Sequence, residues 1–220
     1  MAVPAATPAP GRGPLLVVLG DSLTAGLGLD TDQAFPTLLE QRLRAEGFEL
    51  TVVNAGVSGD TTAAGLSRTE WSLAGDVRVL IVALGGNDGL RGLPVEQMKR
   101  NLDEIVSLAT RRGIAVLLAG MEAPPNFGAI YTAQFRDVFH ELAREHDVAF
   151  MPFLLEGVAG DPTLNQADQI HPNAAGAAIV AARVRQALEP LLPALTLATP
   201  KRGAQESASV SPSPSGRGPG

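Results

Sequence analysis

Asp168 and His171 sit three positions apart near the carboxyl end of the sequence, with Pro172 directly behind them. A carboxylate at that spacing can accept the Nδ1 proton of the imidazole, fix its tautomer and aim Nε2 at another group. A candidate for that group is the hydroxyl of Ser22, which follows the apolar run Leu15 to Leu19 and the pair Gly20-Asp21. Ser, His and Asp are the parts of an acyl-transfer triad. In it, His171 would take the proton of Ser22 as the serine attacks a carbonyl, and Asp168 would stabilise the imidazolium. The tetrahedral intermediate then needs donors aimed at its oxyanion. The backbone N–H groups of Ser22 and Gly59 and the side-chain amide of Asn87 could supply three.

Each residue also has a plainer reading. Ser22 can be the N-cap of a following helix, Gly59 a tight turn, Asn87 an Asx-turn residue, and Asp168 with His171 a surface pair. A metal site built from His171 and some of Asp21, Asp60, Asp88 and Asp168 is conceivable. The chain has only three histidines, however, and His140 and His146 fall on a different predicted helix, where they read as surface residues.

The elements that carry these residues favour the catalytic reading. The run Leu15 to Leu19 has the Leu- and Val-rich character of a strand buried on both faces, which is usual in a parallel sheet. Further strands are predicted at Leu50 to Val53, Val77 to Leu84, Ile114 to Ala119 and Val148 to Met151. Helical periodicity separates them: Gln33 to Glu46, Ala63 to Leu73, Pro94 to about Gly113, Tyr131 to His146, and Pro172 to about Leu188. Gly120 to Gly128 and Pro152 to Gln169 read as connections. Strictly alternating strands and helices predict an α/β fold, a three-layer flavodoxin-like arrangement with a central five-stranded parallel sheet and helices on both faces. Ligands of such sheets bind beyond the carboxyl ends of the strands, which is where Ser22, Gly59 and Asn87 fall.

Composition bounds the function from outside. A chain of 220 residues accommodates one sizeable domain, expected over 14–193. Residues 1–13, rich in Ala, Pro and Gly and without a cationic segment ahead of the first apolar run, read as a flexible arm and not as a secretory signal. Residues 194–220, rich in Ser, Pro and Gly, are expected to be a disordered tail. The net charge of −6 and the lack of a basic stripe argue against a nucleic-acid partner, and no apolar run approaches the ~20 residues of a membrane span. The absence of cysteine excludes disulfides and a cysteine nucleophile.

Four blocks, Gly20-Asp21-Ser22-Leu23, Ser58-Gly59-Asp60-Thr61, Gly85-Gly86-Asn87-Asp88 and Asp168-x-x-His171-Pro172, resemble in order the conserved blocks of the GDSL lipase/esterase, or SGNH hydrolase, superfamily. Asn54 to Thr61, Leu84 to Leu93 and His171-Pro172-Asn173 look like its bacterial arylesterase and multifunctional acyl-CoA thioesterase I/lysophospholipase branch. The resemblance covers about Leu15 to Leu192. It implies a metal-independent, cofactor-free serine hydrolase with Ser22 as nucleophile, His171 as base, Asp168 as its orienting acid, and Ser22, Gly59 and Asn87 around the oxyanion. It further implies a small-molecule ester or thioester substrate, and an acyl groove bordered by a movable loop from Asn87 to Pro94, with Leu90 and Leu93 as contacts. Members of that branch are commonly exported, so either a signal has been removed or this chain stays inside the cell. The rivals are a carbohydrate acetylesterase of the same superfamily and a non-catalytic flavodoxin-like module holding an anion or cofactor. The glycines at 56, 59, 85 and 86 motivate the second, although no phosphate-loop or dinucleotide fingerprint accompanies them.

Overall fold

Leu16, Val17, Val18 and Leu19 expose no surface, so the first strand, β1 (Leu15–Gly20), is covered on both faces. In the computed structural model, which describes residues 13–196, it is an interior strand of a five-stranded sheet, flanked by β2 (Thr51–Gly56) and β3 (Val77–Ala83) and followed beyond β3 by β4 (Ala115–Ala119) and β5 (Ala149–Met151). The spatial order is β2-β1-β3-β4-β5 and every pairing is parallel. The doubly wound architecture expected from the sequence is therefore the one present. Chain order reverses across β1, so the crevice between the ends of β1 and β3 is the topological switch point where such sheets bind ligands.

Parallel strands require crossovers, and helices supply them. The short α1 (Ser22–Ala25) follows β1, and α2 (Phe35–Ala45) leads to β2; α3 (Thr62–Ser72) leads to β3. After β3 come α4 (Gly86–Leu90) and α5 (Val95–Arg111), then α6 (Ala129–Glu145) after β4, and α7 (Ala174–Ala187) with α8 (Leu192–Thr196) after β5. Helix α2 packs on α7, while α3, α5 and α6 pack side by side. Helix α5 buries Met98, Leu102, Ile105 and Ala109 on one stripe, with Val106 and the polar Asn101 beside it. In α6, Phe135 and Phe139 are enclosed and meet edge to face at 5.7 Å.

Some boundaries differ from expectation. Strand β2 extends through Asn54, Ala55 and Gly56 because these residues pair with Val18, Leu19 and Gly20, a tertiary partner that local turn propensity does not register. The polar stretch after β3 forms the short helix α4 instead of a loop, entered through Gly85 at φ 114°. Packing also continues past residue 193: α8 buries Leu195 against the core. Residues 1–12 of the expected arm and the remainder of the expected tail lie outside the described residues. Among the described residues, no helix is long and apolar enough to cross a membrane.

Candidate active site

Strand β1 delivers Ser22 by stopping at Gly20 and turning at once into α1. The cap of that helix is Asp21 and not Ser22: its Oδ1 accepts the Leu23 N–H at 3.0 Å. With the capping role taken by its neighbour, the Ser22 hydroxyl faces His171, and Oγ lies 2.8 Å from Nε2. The end of β2 presses against α1 from the other side. A Cβ on Gly56 would stand 2.2 Å from the Ala25 nitrogen, so the approach requires glycine there.

His171 is aimed from the loop before α7. Asp168 Oδ2 accepts its Nδ1–H at 2.7 Å, while Oδ1 accepts the backbone N–H groups of Ile170 and His171, both at 3.0 Å. These donors, with the backbone bonds as the larger cause, pull the Asp168 carboxyl down to about 2. An ionised Asp168 only accepts, so Nδ1 carries the ring proton and the Nε2 lone pair faces the serine hydroxyl. The connection 152–169 is pinned to its surroundings. Gln166 donates from its backbone to the His171 carbonyl at 2.7 Å, and from Nε2 to the carbonyls of Leu27 at 2.7 Å and Pro172 at 3.0 Å. It thereby ties the histidine loop to the segment that follows Ser22. Asn173 begins α7 by accepting from Ala175 and Gly176, so the helix starts two residues later than Pro172.

Asn87 lies on α4, with Nδ2 donating to the Asp60 carbonyl at 2.9 Å and lying 3.4 Å from Asp21 Oδ2. Gly59 occupies the left-handed region at φ +88°, a turn that favours glycine, and its carbonyl accepts from Arg91 at 2.9 Å. Asp88, next to Asn87, is buried and accepts from the backbone N–H and the hydroxyl of Thr62 at 2.8 and 2.7 Å; Asn101 donates to the same hydroxyl. The N-terminus of α3 and helix α5 thus clasp α4 from behind. Burial pushes the Asp21 carboxyl up to about 6, against the opposing effects of the Leu23 N–H and the nearby His171. The four carboxylates considered above as metal ligands have separate partners: Leu23 and Asn87 for Asp21, Arg68 for Asp60, Thr62 for Asp88 and His171 for Asp168. Among the described residues, no three acidic or histidine side chains gather as a metal-ligand group.

Ser22, Gly59, Asn87 and His171 all line one open groove of about 580 Å³. Its apolar wall includes Leu90, Met121, Phe153, Leu155 and Ile170, a volume and lining suited to a small organic ligand. Leu90, expected as a groove contact, lines this groove. Leu93 does not line the groove; its carbonyl instead accepts the Tyr131 hydroxyl at 2.8 Å and anchors the end of the loop. The remaining histidines have structural contacts: His140 meets the Phe150 ring edge on at 4.7 Å, and His146 pairs with Asp103 at 2.6 Å. Sequence reasoning misses Asp21 as a cap, although an Asp directly ahead of a helix start carries that signal. It also misses Gln166, Arg68 and Thr62, whose partners are remote in sequence and leave no local pattern.

Comparison with known proteins identifies the family of the chain. Residues 18–179 match the model of the GDSL-like Lipase/Acylhydrolase family. The chain is 45% identical over 178 residues to the esterase TesA of Pseudomonas aeruginosa, covering 80% of this chain and 89% of that protein. It is 36% identical to the thioesterase 1/protease 1/lysophospholipase L1 of Escherichia coli K12, covering 80% and 84% respectively. The crystal structure of TesA superimposes with a TM-score of 0.77 at 43% identity, over 80% of this chain and 99% of that one. A phosphonate-inhibited esterase from Pseudoalteromonas also gives 0.77, at 29% identity, over 81% and 98%. The chain belongs to the GDSL-like lipase/acylhydrolase family.

Proposed function

We propose that this protein is a serine esterase that hydrolyses carboxylic esters through an acyl-enzyme on Ser22, and that aryl esters, short-to-medium acyl esters and the related thioesters and lysophospholipids are its substrate class. The observation that carries the assignment is the unbroken relay from Ser22 Oγ to His171 Nε2 at 2.8 Å and from His171 Nδ1 to Asp168 at 2.7 Å, at the edge of an apolar groove. Relatives named esterase, arylesterase and thioesterase/lysophospholipase support the substrate class. The wall of Leu, Met, Phe and Ile side chains favours an acyl chain over a carbohydrate.

In the first step Ser22 Oγ attacks the ester carbonyl as its proton passes to His171 Nε2, and the ionised Asp168 stabilises the imidazolium. The carbonyl oxygen becomes an oxyanion facing the N–H groups of Ser22 and Gly59 and the Asn87 amide. One Asn87 N–H is held by the Asp60 carbonyl; the other, only 3.4 Å from Asp21, turns to the developing charge. Collapse expels the alcohol or thiol, which takes the proton from His171. Water then attacks the acyl-enzyme with His171 again as base, releasing the acid and restoring Ser22.

Labelling with a fluorophosphonate tests this without requiring the native substrate. Mass spectrometry should find the adduct on the peptide containing Ser22, and Ser22→Ala should lose both the adduct and hydrolysis of p-nitrophenyl butyrate. Undiminished turnover in that variant would sink the assignment.

A further inference from the structure

One guanidinium behind the groove reaches the supports of all three proposed oxyanion donors. Arg68, on α3, donates from Nη2 to the Gly20 carbonyl at 2.8 Å, from Nη1 to the Ala55 carbonyl at 2.7 Å and from Nε to Asp60 Oδ2 at 2.7 Å. Gly20 is the last residue of β1 and stands two positions ahead of Ser22. Ala55 belongs to the end of β2, from which the loop carrying Gly59 departs, and the Gly20 carbonyl also accepts the Val57 N–H of that loop at 3.1 Å. Asp60 follows Gly59 directly, and its own carbonyl is the acceptor that holds Asn87 Nδ2. Both ionic side chains are largely covered, Arg68 at 19% and Asp60 at 14% exposure, and Arg68 does not line the groove.

We infer that Arg68 is a positioning residue that sets the spacing of the Ser22, Gly59 and Asn87 donors by fastening the ends of β1 and β2 and the Asp60 turn to one rigid plane. This inference rests on the serine-esterase reading above. The chemistry of the guanidinium fits such a role, because its N–H groups point from one plane in fixed directions and hold three acceptors at set angles to each other. A lysine ammonium keeps the charge beside Asp60 but cannot reproduce that fork. An oxyanion hole loses its value when its donors move by a fraction of an ångström, because its contribution depends on preorganisation. The consequence belongs to the transition state, since Arg68 does not line the groove and its hydrogen bonds go to Gly20, Ala55 and Asp60, not to His171 or Asp168.

The test compares wild type, Arg68→Lys, Asp60→Asn, Asn87→Ala and the Arg68→Lys/Asn87→Ala double variant on p-nitrophenyl butyrate, at a temperature where all are folded by circular dichroism. Asn87→Ala should lower kcat roughly 10²- to 10³-fold as a missing oxyanion donor. Arg68→Lys should lower kcat about 10- to 100-fold with KM within threefold, and weaken inhibition by a boronic acid by the same factor, because that adduct also needs the hole. The shape of the pH–rate profile should not move, since His171 and Asp168 are untouched. Asp60→Asn, which keeps the carbonyl that holds Asn87, should fall between wild type and Arg68→Lys. The double variant should lose less than the product of the single losses, because part of the effect of Arg68 is exerted through Asn87. Full kcat in Arg68→Lys, a loss confined to KM, or losses that multiply would each overturn the inference and leave Arg68 a structural ion pair. If wild type itself lacks Ser22-dependent turnover, the esterase reading fails instead.

Discussion

The molecule contains the same pair of side chains twice, in contact at nearly the same distance and with different consequences. His171 meets Asp168 at 2.7 Å and His146 meets Asp103 at 2.6 Å. The first difference is the nitrogen used. His171 gives Nδ1 to its carboxylate and keeps the outward Nε2 for Ser22, whereas His146 spends Nε2 on Asp103 and retains the nitrogen nearest its own backbone. The second is the fixing of the carboxylate. Asp168 is held by two backbone N–H groups within its own turn, while Asp103 sits 43 positions from its histidine, on α5. An imidazole–carboxylate contact is therefore not a site in itself. It becomes one when the free nitrogen is the reaching one, a hydroxyl stands in front of it and the carboxylate is not free to swing.

Breaking the first pair should separate the two most widely. His171→Ala should cost on the order of 10⁶ in kcat, as removal of a triad base does, while His146→Ala should keep kcat within about twofold under the same assay. Next in size is Asp168→Asn, which preserves shape but no longer holds Nδ1–H against Nε2; a fall of roughly 10⁴-fold in kcat is expected. Asp103→Asn should leave kcat unchanged. Equal effects from Asp168→Asn and Asp103→Asn on steady-state ester hydrolysis would show that the backbone-held carboxylate has no special part in catalysis.

The contrast also explains what the sequence disclosed. The i,i+3 spacing of Asp168 and His171 is local, so it could be read directly, as could Ser22, Gly59 and Asn87 at predicted strand ends. The sheet was readable for the same reason: buried parallel strands such as Leu16 to Leu19 are continuous apolar runs with sharp polar ends. What stayed hidden depends on remote partners. The His146–Asp103 contact joins two helices, Arg68 meets Gly20 from 48 positions away, and Gln166 reaches Leu27 across 139. In each case a polar residue on a helix or in a loop looks like ordinary surface until the fold encloses it. The difference between capping by Ser22 and by Asp21 was a matter of one residue, below the resolution at which helix starts are set by pattern alone.

A third carboxylate sharpens the comparison through pH. Asp168 is held down at about 2, so it remains ionised through the working range, and its stabilising contribution is present above its usual value of 3.8 and lost only as pH falls through about 2. Asp21, also beside the serine, is shifted the opposite way to about 6 because it is buried. Its folded form binds a proton more readily than its unfolded form. Asp21 therefore adds stability that is complete below about 3.8 and disappears as pH rises through about 6. The full span corresponds to on the order of 3 kcal/mol. In urea unfolding at pH 7.5 and 4.5, Asp21→Asn should be favoured relative to wild type at the higher pH, and that advantage should shrink at the lower one. Parallel changes in the two proteins would contradict the assignment of this pH dependence to Asp21.

The smallest effect expected is at the second pair, and it concerns stability alone. Asp103 keeps half of its side chain in solvent and His146 keeps 18%, so the contact gives up little hydration on one side and is partly screened. Asp103→Ala should lower stability by less than about 1 kcal/mol, a shift in Tm of no more than about 2 to 4 °C for a domain of this size. The shift should diminish further in 0.5 M salt if attraction between charges contributes to it, because screening reaches an exposed pair readily. A loss of several kcal/mol would instead mean that the His146–Asp103 contact clamps α5 to α6. Since α5 also carries Asn101, which donates to the Thr62 hydroxyl behind α4, kcat should then fall along with Tm, and the second pair would have to be counted among the supports of the first.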